Sequence, residues 1–184
     1  MKTLVDQLES SLRTQQYYLS LFTALTLPDI AGALDAPDGQ ATPARYIAWY
    51  ETWVRPRAGE VMARRLPMQV LGIGSSVTNL LDGSTCYRFR CSMLHQGTSQ
   101  IPKSAFARIL FVEPGTTTNT FHYMVLNDAL LIDLGMFCEE IIAGVRLWLA
   151  KVEATPLYQA NYAMFAARHP GGLPPYITGV PVIG

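Results

Sequence analysis

Arg90 and His95 stand close together in the stretch Tyr87-Arg88-Phe89-Arg90-Cys91-Ser92-Met93-Leu94-His95-Gln96-Gly97. An imidazole titrates near neutral pH and can pass a proton in either direction. A guanidinium offers a planar fork of donors that suits a phosphate or the charge of a pentacoordinate phosphorus transition state. Together they fit cleavage of RNA by its own neighbouring 2′-hydroxyl, with His95 moving protons and Arg90 stabilising charge. Arg88, Ser92 and Gln96 are the nearby candidates for substrate contact. That chemistry needs no metal and no cofactor, and none is expected: Cys86, Cys91 and Cys138 contain no Cys-x-x-Cys pair. Gly72-Ile73-Gly74-Ser75-Ser76 lacks the lysine of a phosphate loop and the third glycine of a dinucleotide turn, so it reads as a plain loop.

The two candidate residues need a helix to hold them. Asp82-Gly83-Ser84 is a helix start and Gly97 a helix end, so residues 82–97 form the element of interest. At 100° per residue, Arg90 and His95 lie about 140° apart around the axis and ~7.5 Å along it. They do not share a face, so either the arginine bends toward the histidine or a two-fold dimer brings two such helices to one cleft. Arg88, seven residues before His95, does fall on its stripe and stays open as the arginine of the pair.

Quieter roles exist for the same residues. His95 could bond the last carbonyls of its helix. Arg90 could pair with Asp29 or Asp35 across the fold. Cys91 and His95 could form a nucleophile–base pair, although a small free cysteine is more simply core. His122 and His169 read as surface or satisfied groups, and Trp49, Trp53 and Trp148 as core. The Tyr17-Tyr18 pair could stack bases, but helix packing is the simpler use.

Helical periodicity recurs along most of the chain. Residues 2–25 read as one helix through Leu4, Leu8, Leu12, Leu19 and Phe22, and Pro28 restarts the chain into a second at 29–34. Thr42-Pro43 opens a third, broken at Pro56, with a further turn or two at 59–66. Residues 106–113 and 121–126 are β-type runs around Pro-Gly-Thr-Thr-Thr-Asn and predict a hairpin lying over the helices. A long helix at 134–152 follows, then Thr155-Pro156 caps a last one through about 168. The expected fold class is mainly α: an antiparallel helical bundle with a small β-hairpin insertion at about residues 106–126. One domain covers 1–169, and a Pro/Gly-rich tail at 170–184, expected to be extended and irregular, packs on or beside it.

Hydrophobic residues make up 49% of the 184 and charged residues 15%. That excludes a disordered chain, and the surplus apolar surface is explained by a subunit interface, so a homodimer is expected. No apolar run reaches a membrane span, the first residues lack a signal peptide's apolar block, and the odd cysteine count suits a reducing compartment; the expected setting is the cytoplasm. The net charge is zero, yet residues 45–108 hold nine basic and three acidic groups, compatible with a local anion site and equally with internal ion pairing between segments.

The helix ending in Arg90-x4-His95, followed by a small residue, resembles the signature of HEPN domains. The surroundings are similar too: helices before the motif, an insertion after it, then a long apolar helix. The resemblance spans residues 1–152 as architecture and Arg90 to Gly97 as motif. It implies a helical, usually dimeric protein. Many members are metal-independent ribonucleases of toxin–antitoxin, abortive-infection and CRISPR systems, so RNA and an antitoxin or other protein are the implied partners. Arg90 and His95 occupy the matching positions. Cys91 departs from the pattern, since the family usually places a polar residue there. If the motif is not catalytic, the chain is a helical dimerisation, interaction or small-ligand-binding module in which the same helix is structural.

Overall fold

The computed structural model describes residues 1–65 and 79–184. The loop expected at Gly72 to Ser76 lies outside the described residues. The rest is mainly α. The helices are α1 (Lys2–Arg13), α2 (Tyr17–Leu34), α3 (Pro43–Trp53), α4 (Ala58–Arg65), α5 (Gly83–Gln96), α6 (Leu134–Val152) and α7 (Pro156–Tyr162). One small sheet joins them, with β1 (Arg108–Val112), β2 (Met124–Leu126) and β3 (Ala129–Asp133). A terminal ribbon follows, made of β4 (Arg168–His169), β5 (Gly172–Leu173), β6 (Ile177–Thr178) and β7 (Val182–Ile183).

α2 is the central element and packs against α1, α3, α5, α6 and α7. Its buried residues include Leu21, Ala24, Leu25, Leu27, Pro28 and Ala31. The sequence suggested a helix through residue 25 and a new start at Pro28, and both expectations are corrected here. The first helix stops at Thr14, where Gln15 takes a left-handed φ of 56° and Gln16 N donates to Ser11 O at 2.8 Å. Pro28 sits inside α2. A proline there removes one backbone bond, but burial on several neighbours outweighs the local penalty.

α3 is wedged between α5 and α6. A Cβ on Gly83 would come within 2.9 Å of Ile47 O, and one on Gly144 within 2.8 Å of Trp53 O. Glycine is therefore required at both contacts for the backbones to approach this closely. The caps fall where the side chains foretold: Thr42 Oγ1 accepts from Arg45 N, Asp82 Oδ1 from Thr85 N, and Thr155 Oγ1 from Tyr158 N.

The sheet differs from the expected hairpin over 106–126. β1 runs parallel to β3 (Arg108↔Ala129 through Val112↔Asp133), and the hairpin is β2–β3 instead, with Leu126 opposite Ala129. The strand order is β1-β3-β2. The turn that decides this is Asn127-Asp128, where Asn127 adopts φ 53°. A two-residue loop of this kind closes a tight hairpin, whereas the longer Pro/Gly/Thr-rich stretch serves as part of a crossover. Leu130, Ile132 and Ile109 point from the sheet into the core, which continues through Phe137, Ile141, Val145 and Trp148 of α6.

α7 ends at Tyr162 rather than near residue 168. The tail is a regular β-ribbon, not an irregular segment: β4 pairs with β7 and β5 with β6, both antiparallel. No residue from 162 to 184 is buried. No described helix is long and apolar enough to cross a membrane.

Candidate functional site

α5 ends on Gly97, whose φ of 66° lets its N–H reach Met93 O while Thr98 N reaches Ser92 O. Thr85, Cys86, Phe89 and Ser92 face inward. The opposite side carries Tyr87, Arg90, Cys91 and His95, and α2 lies alongside with Asp29.

These residues converge. Arg90 Nη1 lies 3.0 Å from His95 Nε2, and Arg90 Nη2 lies 2.7 Å from Asp29 Oδ2. The long arginine side chain bends across the 140° that separates it from His95. A guanidinium can only donate, so Nε2 is the acceptor and the ring hydrogen sits on Nδ1. The contact to Asp29 is close but off the N–H axis: Asp29 Oδ2 and Arg90 Nε lack an aligned hydrogen-bond partner among the described residues. Charge attraction rather than a bidentate fork holds this pair.

Burial divides the three groups. The side chains of Arg90 and Asp29 are 19% and 15% exposed, whereas His95 is exposed. Burial pushes the Asp29 carboxyl above its ordinary range, and the Arg90 charge opposes the shift without cancelling it. His95 is thus the solvent-facing member of the group, and the Arg90 guanidinium is largely covered. Cys91 Sγ is 4.0 Å from Arg90 Nη1, so the thiol is a weak further partner of the arginine.

The other candidates are not gathered there. Arg88 Nη1 donates to Lys103 O at 2.7 Å, so Arg88 ties α5 to the following loop instead of joining His95. Ser92 is buried on the core side. Gln96 is exposed at the helix end. Asp35 does not take Arg90; its Oδ2 lies 3.4 Å from Trp148 Nε1. His169 Nε2 stands 3.1 Å from Gly184 O in the ribbon. Tyr17 packs on the core, but Tyr18 is 76% exposed, so helix packing does not account for it.

A second polar group escaped the sequence reading. Of the two readings of His122, surface or satisfied, the second holds: it is buried, and its Nε2 lies 2.8 Å from Glu140 Oε1; Tyr123 Oη donates to Glu140 Oε2. Asn79 Nδ2 donates to Tyr50 Oη nearby at 3.4 Å. Burial pushes Glu140 above the ordinary carboxylate range, opposed by the bonds from His122 and Tyr123. A signal existed: Glu140 falls among Phe137, Ile141 and Gly144 on the apolar stripe of its helix, where a lone acid requires buried partners. Among the described residues there is no cluster of three or more His, Cys, Asp or Glu that could hold a metal.

Compared with known proteins, the chain matches no family model, and neither a curated protein nor a solved structure is significantly similar to it.

Proposed function

We propose that this protein is an HEPN-like, metal-independent RNA-cleaving or RNA-binding protein of the kind found in toxin and defence modules, built as an antiparallel helical bundle and acting as a homodimer. One observation carries the reading: the Arg90 guanidinium meets His95 Nε2 at 3.0 Å while His95 stays open to solvent. A base and a charge-stabilising cation thus stand together at the surface, and a phosphodiester that draws the guanidinium onto its own oxygens frees the Nε2 lone pair.

The chemistry follows from these atoms. His95 Nε2 takes the proton of the ribose 2′-hydroxyl, and the 2′-oxygen forms a bond to phosphorus. The bond from phosphorus to the 5′-oxygen breaks, and that oxygen leaves with a proton from water. The imidazolium then returns its proton to solvent. Arg90 turns from His95 onto the phosphoryl oxygens as their charge grows, with Asp29 holding the other side of the guanidinium. The products are a 2′,3′-cyclic phosphate and a 5′-hydroxyl end.

The test is incubation of the purified protein with mixed RNA in EDTA, beside His95→Ala. Loss of a proton-transfer group lowers the rate by about 10²–10⁴-fold, and mass spectrometry of the fragments should show cyclic phosphate ends. Intact RNA with the native protein would remove the nuclease reading.

A second reading is supported by the Asp29–Arg90 contact itself. It ties α2 to α5, as a purely structural arginine would. In that case the helix belongs to an interaction or small-ligand module, and His95→Ala changes neither RNA binding nor RNA integrity.

A further inference from the structure

The terminal ribbon is an arm with little to lean on. Ala167 N donates to Gly184 O at 2.9 Å and Gly184 N to Ala167 O at 3.1 Å, so this pair exchanges both backbone bonds. The next pair, Arg168 and Ile183, is therefore of the non-bonded type, and its amides and carbonyls face outward. The ribbon also leaves several apolar side chains uncovered. Tyr176 is 85% and Ile183 80% exposed, and Ile177 and Val180 are exposed with them. A two-stranded ribbon without a covered face is marginal in water.

The body of the molecule carries the complementary lack. The sheet has two outer strands; β1 is met by the Gln100 segment (Ile109 N donates to Ser99 O at 3.1 Å), whereas Met124, Val125 and Leu126 of β2 are all exposed. An apolar open edge of this kind is a template for another strand. Among the described residues the arm forms no backbone bond with β2 of its own chain.

We propose that the arm of one protomer adds its Ile183 strand to the β2 edge of a second copy, and that two such exchanges about a two-fold axis form the dimer. Charge favours the match. Residues 154–184 contain no acidic side chain and carry Arg168, whereas Asp128 and Glu113 are exposed beside the sheet and its one cation, Arg108, lies on β1, the strand away from β2. Area agrees as well. The arm's exposed apolar side chains carry on the order of 500 Å², with an aromatic alone bringing about 150–250 Å². Two arms and the two edges that receive them would bury about 1,500 Å², within the range of specific protein–protein interfaces. The inference does not depend on the RNA reading.

Light scattering on the full chain, over a wide range of protein concentration, tests it with Ile183→Asp in the arm and Val125→Asp at the edge. Both positions are exposed, so the circular dichroism spectrum, which reports secondary structure, should match the native protein; Tm should fall only by what the lost dimer contributed. The native chain should have twice the monomer mass, and each variant the monomer mass. An equimolar mixture of the two variants should regain part of the dimer, because the intact arm of one still meets the intact edge of the other. A monomeric native protein, a dimer that survives either substitution, or a mixture that stays wholly monomeric would overturn the exchange.

Discussion

His122 and Glu140 form a pair at 2.8 Å with both side chains withdrawn from solvent, joining the segment before β2 to the middle of α6. Tyr123 completes the carboxylate's shell from the adjacent position. Glu140 is thus an acid with two donors in an otherwise apolar core, and its removal should reveal how much the core depends on it.

Burial raises the Glu140 carboxyl above its unfolded value, so the folded chain holds this proton more tightly than the unfolded one. Between the unfolded value, about 4.3, and the raised folded value, stability should fall as pH rises, and above that window the contribution should stay constant. Glu140→Gln keeps an acceptor for His122 and removes the titration, so its urea-unfolding free energy should lose this slope. Glu140→Leu strands two buried polar groups and should cost about 2–4 kcal/mol. Equal pH profiles for the native protein and Glu140→Gln would show that this carboxyl does not govern the dependence.

Asp29 should act by positioning Arg90. Asp29→Asn removes the charge that holds the guanidinium and should cost about 1–2 kcal/mol, a Tm change of roughly 2–8 °C at this chain length. His95→Ala, at an exposed site, should stay within about 0.5 kcal/mol of the native protein. On the proposed reading Asp29→Asn also lowers kcat more than it raises KM, and Asp29→Glu restores part of it. A loss of stability with kcat untouched would make the contact structural alone.

The three thiols should react in a clear order. Cys86 and Cys138 are buried, and burial raises both, Cys86 to about 12. Cys91 is half-exposed on the outer side of α5. Iodoacetamide followed by peptide mass spectrometry should find Cys91 modified well before the other two in the folded protein. Equal rates would mean that α5 opens faster than the reagent reacts.

Much of this was written locally in the chain. Thr42, Asp82, Thr155 and Gly97 announced their helix ends because capping is decided by a residue and its nearest neighbours. The Arg90–His95 meeting was foreseeable from one helix and the length of an arginine side chain. The choice between Asp29 and Asp35 was not, because it depends on how α2 lies on α5. The break at Gln15 carried no glycine or proline to mark it. The parallel pairing of β1 with β3 needs long-range contacts that alternation alone does not encode. His122 found its carboxylate 18 positions away on α6, a partnership that only the folded core creates.

The bond from Arg90 to His95 has a consequence for how such a site would discriminate. With its lone pair already engaged by the guanidinium, the imidazole is a poor base toward passing water or a neutral alcohol. Only a molecule that brings negative charge of its own can draw the arginine aside and set the nitrogen free. On the proposed reading, the resting protein is thereby guarded against idle chemistry, and the phosphate that is to be attacked is also the key that arms its attacker.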